Sequence, residues 1–353
     1  MSNGPLRIEQ YETVRYDINC NPLGVPDSVT RAIMENISAV GRYPDTYYDP
    51  LRNAIASYAC CAPEHLVLGS GSSDLLRLFV ALLAPKKALL PIPSATDYEH
   101  VLSVYGCETD FYELDINQDY HLDMDDFITH LSDTYDIVIL GNPNNPTSQL
   151  ISTEEADIEK LAAACKELGI ALLLDEMYIE FTENYERNTA ISLVNTYDNL
   201  IILRSVSKFF SVPGLRLAYA IMNNETNMTI INMTATPNSI SCLTAAACTA
   251  MLEDTAYIHE SHSRIFTERN LIYAAMNTNK NLRLFKPSAN FALMQILKED
   301  VTAKSLLAHC NLKGIVLRNC ENFHGLDSHF VRFSIMNPMQ NDLMVNTILE
   351  LLR

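Results

Sequence analysis

Lys208 lies in the string Ser205-Val206-Ser207-Lys208-Phe209-Phe210, with Pro213-Gly214 close behind. Two serines, two phenylalanines and a turn are the surroundings of an amine held in a shaped pocket, which suits a lysine to Schiff-base chemistry. Arg216 follows Gly214-Leu215 and has the planar fork that grips a phosphate at two points. Asp175 comes directly after five apolar residues, Ile170 to Leu174, which points to burial. A buried carboxylate requires a cationic partner, and a protonated ring nitrogen would serve. Tyr178, three residues on, can hydrogen-bond an oxygen of the same ring or simply pack. Gly69-Ser70-Gly71-Ser72-Ser73-Asp74 offers backbone N–H groups and hydroxyls at a helix N-terminus, a phosphate cradle, and equally suits a plain strand-to-helix turn. Asn142-Pro143-Asn144-Asn145-Pro146-Thr147 is turn chemistry that also places amide side chains beside an apolar run.

These residues share one kind of position. Leu66–Leu68, Ile137–Leu140, Ile170–Leu174 and Leu200–Leu203 are short apolar runs, and each ends in one of the strings above. Between them lie amphipathic stretches, so the pattern predicts βαβ units and a mainly parallel sheet. Ligands of open α/β sheets bind at the carboxyl ends of the strands. One unit is explicit: Ser152 with Glu155 reads as a capping box, Ile158, Leu161, Ala162, Cys165 and Leu168 follow at helical spacing, and Gly169 stops the helix. After about Met233 the texture changes to a long helical stretch, Ala245 to Asn277, and short strands near 291–297, 315–317 and 330–335. The expected division is a large α/β domain over 31–238 and a smaller α+β domain made of 1–30 with 239–353.

Composition narrows the partners. The chain has 353 residues, 48% hydrophobic and 19% charged, with 25 Lys and Arg against 43 Asp and Glu. A formal net charge of −18 disfavours nucleic acid and anionic membranes, which call for a basic surface. A local positive site for a small anionic ligand remains compatible with it. The first residues show no apolar leader and no run approaches the roughly 20 apolar residues of a membrane span. The nine cysteines lack metal-ligand spacing. They read as reduced core cysteines of a cytoplasmic protein, with no metal site.

The strings Asn21-Pro22-Leu23-Gly24, Tyr43-Pro44-Asp45, GSGSSD at 69–74, NPNNPTS at 142–148, DEMYIEF at 175–181, SVSKFFSVPGLRLAY at 205–219 and ANF at 289–291 closely resemble fold-type-I pyridoxal-phosphate (PLP) enzymes of the aminotransferase class I/II family. Within it, the subgroup of histidinol-phosphate aminotransferase and threonine-phosphate decarboxylase is the nearest in pattern. The resemblance spans nearly the whole chain. It implies a seven-stranded-type sheet between helices, pyridoxal 5′-phosphate as cofactor and a homodimer with shared active sites. It assigns Lys208 to the Schiff base and later proton shuttling, Asp175 to the pyridine nitrogen, and Asn145 and Tyr178 to the ring oxygen. Ser72, Ser73, Ser205, Ser207 and Arg216 would hold the phosphate, with Tyr43 reaching it from a neighbouring subunit. Arg332, Asn290 and Asn21 would face the substrate. The aromatic that usually stacks on the ring is Ala95 here, which leaves that place to Tyr98 or to a looser stack. Ser148 replaces a usual glycine.

Two reactions fit the resemblance. NPLG near the start, Lys208-Phe209-Phe210 and Asn322-Phe323-His324-Gly325-Leu326 are closest to the decarboxylase. Met336 stands where that enzyme usually has a second basic residue, and Asn238 where it has a tryptophan. Transamination of an amino acid or amine with an anionic group is the expected activity, and decarboxylation of an O-phospho amino acid the alternative. A PLP-binding regulator would carry an added DNA-binding module, for which this acidic chain leaves no obvious segment.

Overall fold

A computed structural model describes residues 13–234 and 238–353. The segment read above as lacking a leader lies almost wholly outside them. In chain order the strands are β1 (Val14–Arg15), β2 (Leu66–Gly69), β3 (Lys87–Ile92), β4 (Glu108–Glu113), β5 (Ile137–Gly141), β6 (Ala171–Asp175), β7 (Leu200–Ser205) and β8 (Ala218–Ile221), then β9 (Leu282–Leu284), β10 (Phe291–Ile296), β11 (Ile315–Val316), β12 (Arg318–Asn319) and β13 (Phe330–Ser334).

The central sheet has seven strands in the order β2-β8-β7-β6-β5-β3-β4, and only β8 runs antiparallel to its neighbours. Its middle strands are apolar on both faces because helices cover both. Side chains alternate along a strand, so Leu172 and Leu174 of β6 join one core, with Leu140 and Ile202. Leu173 joins the other, with Ile139, Leu203 and Tyr98. Asp175, two residues beyond Leu173, continues onto the Tyr98 side. A second sheet, β12-β13-β10-β9, is antiparallel throughout. The N-terminal segment reaches the C-terminal part through the parallel pairing of β1 with β11.

Two local expectations change. The helix Glu155–Glu167 begins later than the proposed capping box requires, with Glu154 at its N-cap and no side-chain cap. Ser152 instead accepts from the Glu154 amide and donates to Asp157, while Glu155 accepts from Ser192 on a distant segment. The long C-terminal helical stretch is two helices, Cys242–Leu252 and Thr255–Met276. They part where the Asp254 carboxylate accepts from the Tyr257 amide and starts the second. Gly169 ends its helix as expected, with φ +74°. Six of the cysteines are buried, at 20, 107, 165, 248, 310 and 320. No helix among the described residues is long and apolar enough to cross a membrane.

Leu173 is fully buried at the centre of β6. Leu173→Ala removes that packing and should lower the unfolding free energy by about 2–5 kcal/mol, read as a lower urea midpoint with an unchanged slope.

Candidate active site

The ends of β5, β6 and β7 stop side by side. Gly141 pairs with Asp175 and Asp175 with Leu203, and the Asn142 amide donates to the Asp175 carbonyl at 2.8 Å. Beyond these ends lies a cavity of about 260 Å³ lined by Ser72, Ser73, Ala95, Asp97, Tyr98, Asn145, Asp175, Tyr178, Ser207, Lys208 and Arg216, among others. Most of the residues singled out from the sequence therefore converge on one space.

Asp175 forms the floor and is only 9% exposed. Its carboxylate accepts from the Tyr98 hydroxyl at 2.7 Å and from the Met177 amide at 3.0 Å. Burial pushes its carboxyl up to about 6, against the pull of those two donors. Tyr98 thus spends its hydroxyl on the carboxylate, a second task for a residue considered above as a stacking group. The phenol is raised well above its ordinary value by burial and by the Asp175 charge, so it stays a donor.

Lys208 follows β7 in a short helix, Val206–Phe209, opened by Ser205, whose hydroxyl accepts from the Ser207 amide. Ser205 and Ser207 hydroxyls lie 2.8 Å apart. Half-buried, Lys208 donates from Nζ to the Ile18 carbonyl at 2.8 Å. Ser72 and Ser73 line the cavity where they open the helix Ser72–Leu83, and the first N–H groups of a helix have no intrahelical acceptors. Gly71 precedes it with φ +103°, and a Cβ there would come within 2.1 Å of the Arg216 guanidinium. That position requires glycine twice over, for its backbone angle and for the arginine laid against it. Positive charge and helix N-terminus together make an anion cradle.

The N-terminal segment 17–21 straps the other side. The Asp17 carbonyl accepts from Arg332 Nη2 at 2.8 Å. The Asn19 carbonyl accepts from Asn290 at 2.9 Å, and Asn19 Nδ2 reaches the Tyr178 hydroxyl at 3.4 Å. Arg332, on β13, also donates from Nη1 to Asn145 Oδ1, while its Nε and the Asn290 Oδ1 are buried without a partner among the described residues.

Five predicted residues do not line the cavity: Ser205, Asn290 and Arg332, which connect to it as described, and Asn21 and Tyr43. Asn21 is buried away from the cavity lining, with its amide committed to the Phe209 carbonyl, Ser261 and the Leu23 amide. It also donates its backbone N–H to the Lys208 carbonyl, so it braces the lysine segment and has no free group for a substrate. Tyr43 is 88% exposed and outside the cavity. Sequence reasoning missed Asn19, Asp97 and Arg318. Arg318 stands directly opposite Arg332 in the β12–β13 register, on the same face. No periodicity within two residues of strand could have revealed that pairing.

The family model described as aminotransferase class I and II matches residues 12–348. The chain belongs to that family. Threonine-phosphate decarboxylase of Salmonella typhimurium is 29% identical over 98% of this chain and 93% of its own. The crystal structure of histidinol-phosphate aminotransferase from Clostridium acetobutylicum superposes with a TM-score of 0.89 at 33% identity, covering 96% of this chain and 99% of that one. The histidinol-phosphate aminotransferase of Sinorhizobium meliloti, in complex with pyridoxal-5′-phosphate, shares the fold at a TM-score of 0.83 and 20% identity, covering 100% and 95%. The fold is that of the fold-type-I enzymes, and the cofactor of this family member is pyridoxal 5′-phosphate. The cavity suits that group by its own features: a buried carboxylate without a cationic partner among the described residues, an amine, and a cradle from which a Cβ is excluded.

Burial of Asp175 has a measurable cost without the cofactor. Unfolded, the carboxyl titrates near 3.8; folded, near 6. At low pH both states are protonated and no penalty exists. As pH rises from about 4 to 6 the unfolded chain ionises first, so this residue's contribution falls and then stays low. Asp175→Asn should therefore stabilise the cofactor-free protein at pH 7, by at most roughly 3 kcal/mol. The difference should shrink steeply toward pH 4 and vanish only below the unfolded value of 3.8, as measured by denaturant midpoints across the range.

Proposed function

We propose that the chain is a PLP-dependent aminotransferase acting on an amino acid or amine that bears an anionic group, phosphate included. The observation that carries this reading is the pair of guanidiniums on β12 and β13. Arg318 and Arg332 share one face, and their side-chain partners are neutral: Asn322 for the first, Asn145 and the Asp17 carbonyl for the second. Burial lowers the Arg332 pKa and Arg318 adds to that lowering, so an anion brought to them is strongly favoured. Asn145 connects Arg332 to the cavity wall.

In this reading Lys208 carries the cofactor and Asp175 holds its ring nitrogen protonated. Tyr178 and Asn145 face its ring oxygen, and Ser72, Ser73, Ser205, Ser207 and Arg216 hold its phosphate. When bound, the cofactor supplies an electron sink for the pair released at the substrate Cα. Lys208 Nζ then moves the proton that leaves Cα. Arg332 is fixed at two nitrogens, so the group it grips is oriented and retained. Where the group that Arg332 grips is the substrate carboxylate, it is retained and is not the leaving group, which favours amino transfer over decarboxylation. A second copy of the chain supplies Tyr43, whose neighbours Met34, Ile37, Val40 and Tyr47 are also exposed.

The test is product analysis with histidinol phosphate, O-phosphothreonine and O-phosphoserine, each with a keto-acid acceptor. One of them should yield the carbonyl product and the aminated acceptor in equal amounts without carbon dioxide. Arg332→Gln should lower kcat/KM for that donor by about 10- to 100-fold, the worth of a charge-assisted hydrogen bond. Carbon dioxide released in step with an amine product would replace the transferase with the decarboxylase suggested by the Salmonella relative.

A further inference from the structure

Behind the cavity, on the other face of the central sheet, lies a buried charged cluster. Glu176 follows Asp175 directly and turns the opposite way, and its amide donates to the Leu203 carbonyl at 2.8 Å. Arg204, four residues before Lys208, sits on β7 and points to the same side. Arg204 donates from Nε and Nη2 to one oxygen of Glu176, at 3.0 and 2.9 Å. The two side chains are 2% and 0% exposed. Thr189 closes the unit, donating to the same carboxylate and accepting from Arg204 Nη2, both at 2.7 Å. The other Glu176 oxygen accepts from the Ala190 amide at 2.8 Å. Glu180 approaches Arg204 Nη1 at 3.9 Å, and burial pushes its carboxyl up to about 7 against the arginine's pull.

A buried ion pair is a poor device for stability alone, since its desolvation cost roughly cancels the attraction and apolar side chains of similar size do as well. What this one has that apolar packing lacks is direction. Two N–H bonds to one carboxylate oxygen join the carboxyl ends of β6 and β7 at a defined geometry, beside their backbone pairing. Those ends deliver Asp175 and Lys208 to the cavity on the opposite face.

We propose that Glu176, Arg204 and Thr189 form a positioning unit that sets Lys208 against Asp175. The proposal rests on the reading above, in which Lys208 and Asp175 hold the cofactor. None of the three residues lines the cavity; they act through the strand ends.

The experiment compares the full-length protein with Glu176→Leu/Arg204→Leu, which exchanges the pair for apolar side chains, and with Arg204→Lys, which keeps the charge and loses the fork. Three quantities are read: the dissociation constant of pyridoxal 5′-phosphate, amide hydrogen exchange of the cofactor-free protein, and the pH profile of kcat and KM. The double variant should fold with a lower melting temperature, since Glu180, Thr189 and the Ala190 amide lose partners. It should bind cofactor about tenfold more weakly and exchange faster at amides 175–178 and 205–209 than in the rest of the sheet. Its kcat should fall at least about tenfold, with a displaced pH profile and a KM changed less than kcat. Arg204→Lys should show the same changes in smaller degree. A double variant with parent-like cofactor affinity, local exchange and pH profile overturns the proposal, because the pair is then mere packing. If the double variant does not fold, Arg204→Lys decides alone, and a parent-like profile in it is equally fatal. Should the parent itself show no lysine-linked absorption band with the cofactor, the reading of Lys208 falls and takes the unit with it. A normal parent with unaffected variants removes the unit only.

Discussion

A carboxylate at the end of a parallel strand, nine-tenths buried, is the constraint around which this molecule is arranged. Asp175 can occupy its place because two donors reach it, the Tyr98 hydroxyl and the Met177 amide. Neither donor is charged, so the carboxyl remains displaced upward to about 6. A cation brought above it relieves that tension, and the cavity is shaped to bring one. The parallel register sets what else can be there: Gly141 on one side leads into Asn142–Thr147, Leu203 on the other leads into the lysine turn. A slip of one residue in either pairing would turn Asp175 to the opposite face and separate it from Lys208.

The second feature of the site is how much of it is backbone. The segment 17–21 supplies carbonyls to Lys208, Arg332 and Asn290, and Asn21 in turn braces the backbone of residues 208 and 209. One short strap therefore reaches the proposed cofactor lysine, the proposed anion-binding arginine and the second sheet. Backbone acceptors satisfy buried donors without adding negative charge, so the Asp17 carbonyl holds Arg332 in place without neutralising it. Arg332 keeps one nitrogen unpartnered in the interior, a cost that a bound ligand can offset.

The parts visible in the sequence are those where chemistry and chain order coincide. Asp175, Lys208 and the asparagine-proline loop each follow an apolar run, so strand ends could be located from the pattern, and a mainly parallel sheet with them; the count of seven strands came from the family resemblance. What stayed hidden depends on partners distant in sequence. Glu155 looked like half of a capping box because its actual partner, Ser192, belongs to another segment. The resemblance placed Asn21 toward the substrate, and nothing local shows that its amide is bonded to the Phe209 carbonyl and Ser261. Arg318 and Arg204 were both legible as residues and illegible as members of pairs, since strand register and the neighbouring strand decide what each one meets.

The central claim is that Lys208 is the residue covalently joined to the cofactor. Borohydride reduction of the protein loaded with pyridoxal 5′-phosphate, followed by proteolysis and peptide mass analysis, tests it directly. A phosphopyridoxyl group found on Lys208 and on no other lysine is the predicted result. Labelling spread over surface lysines, or confined to a different one, would contradict the account.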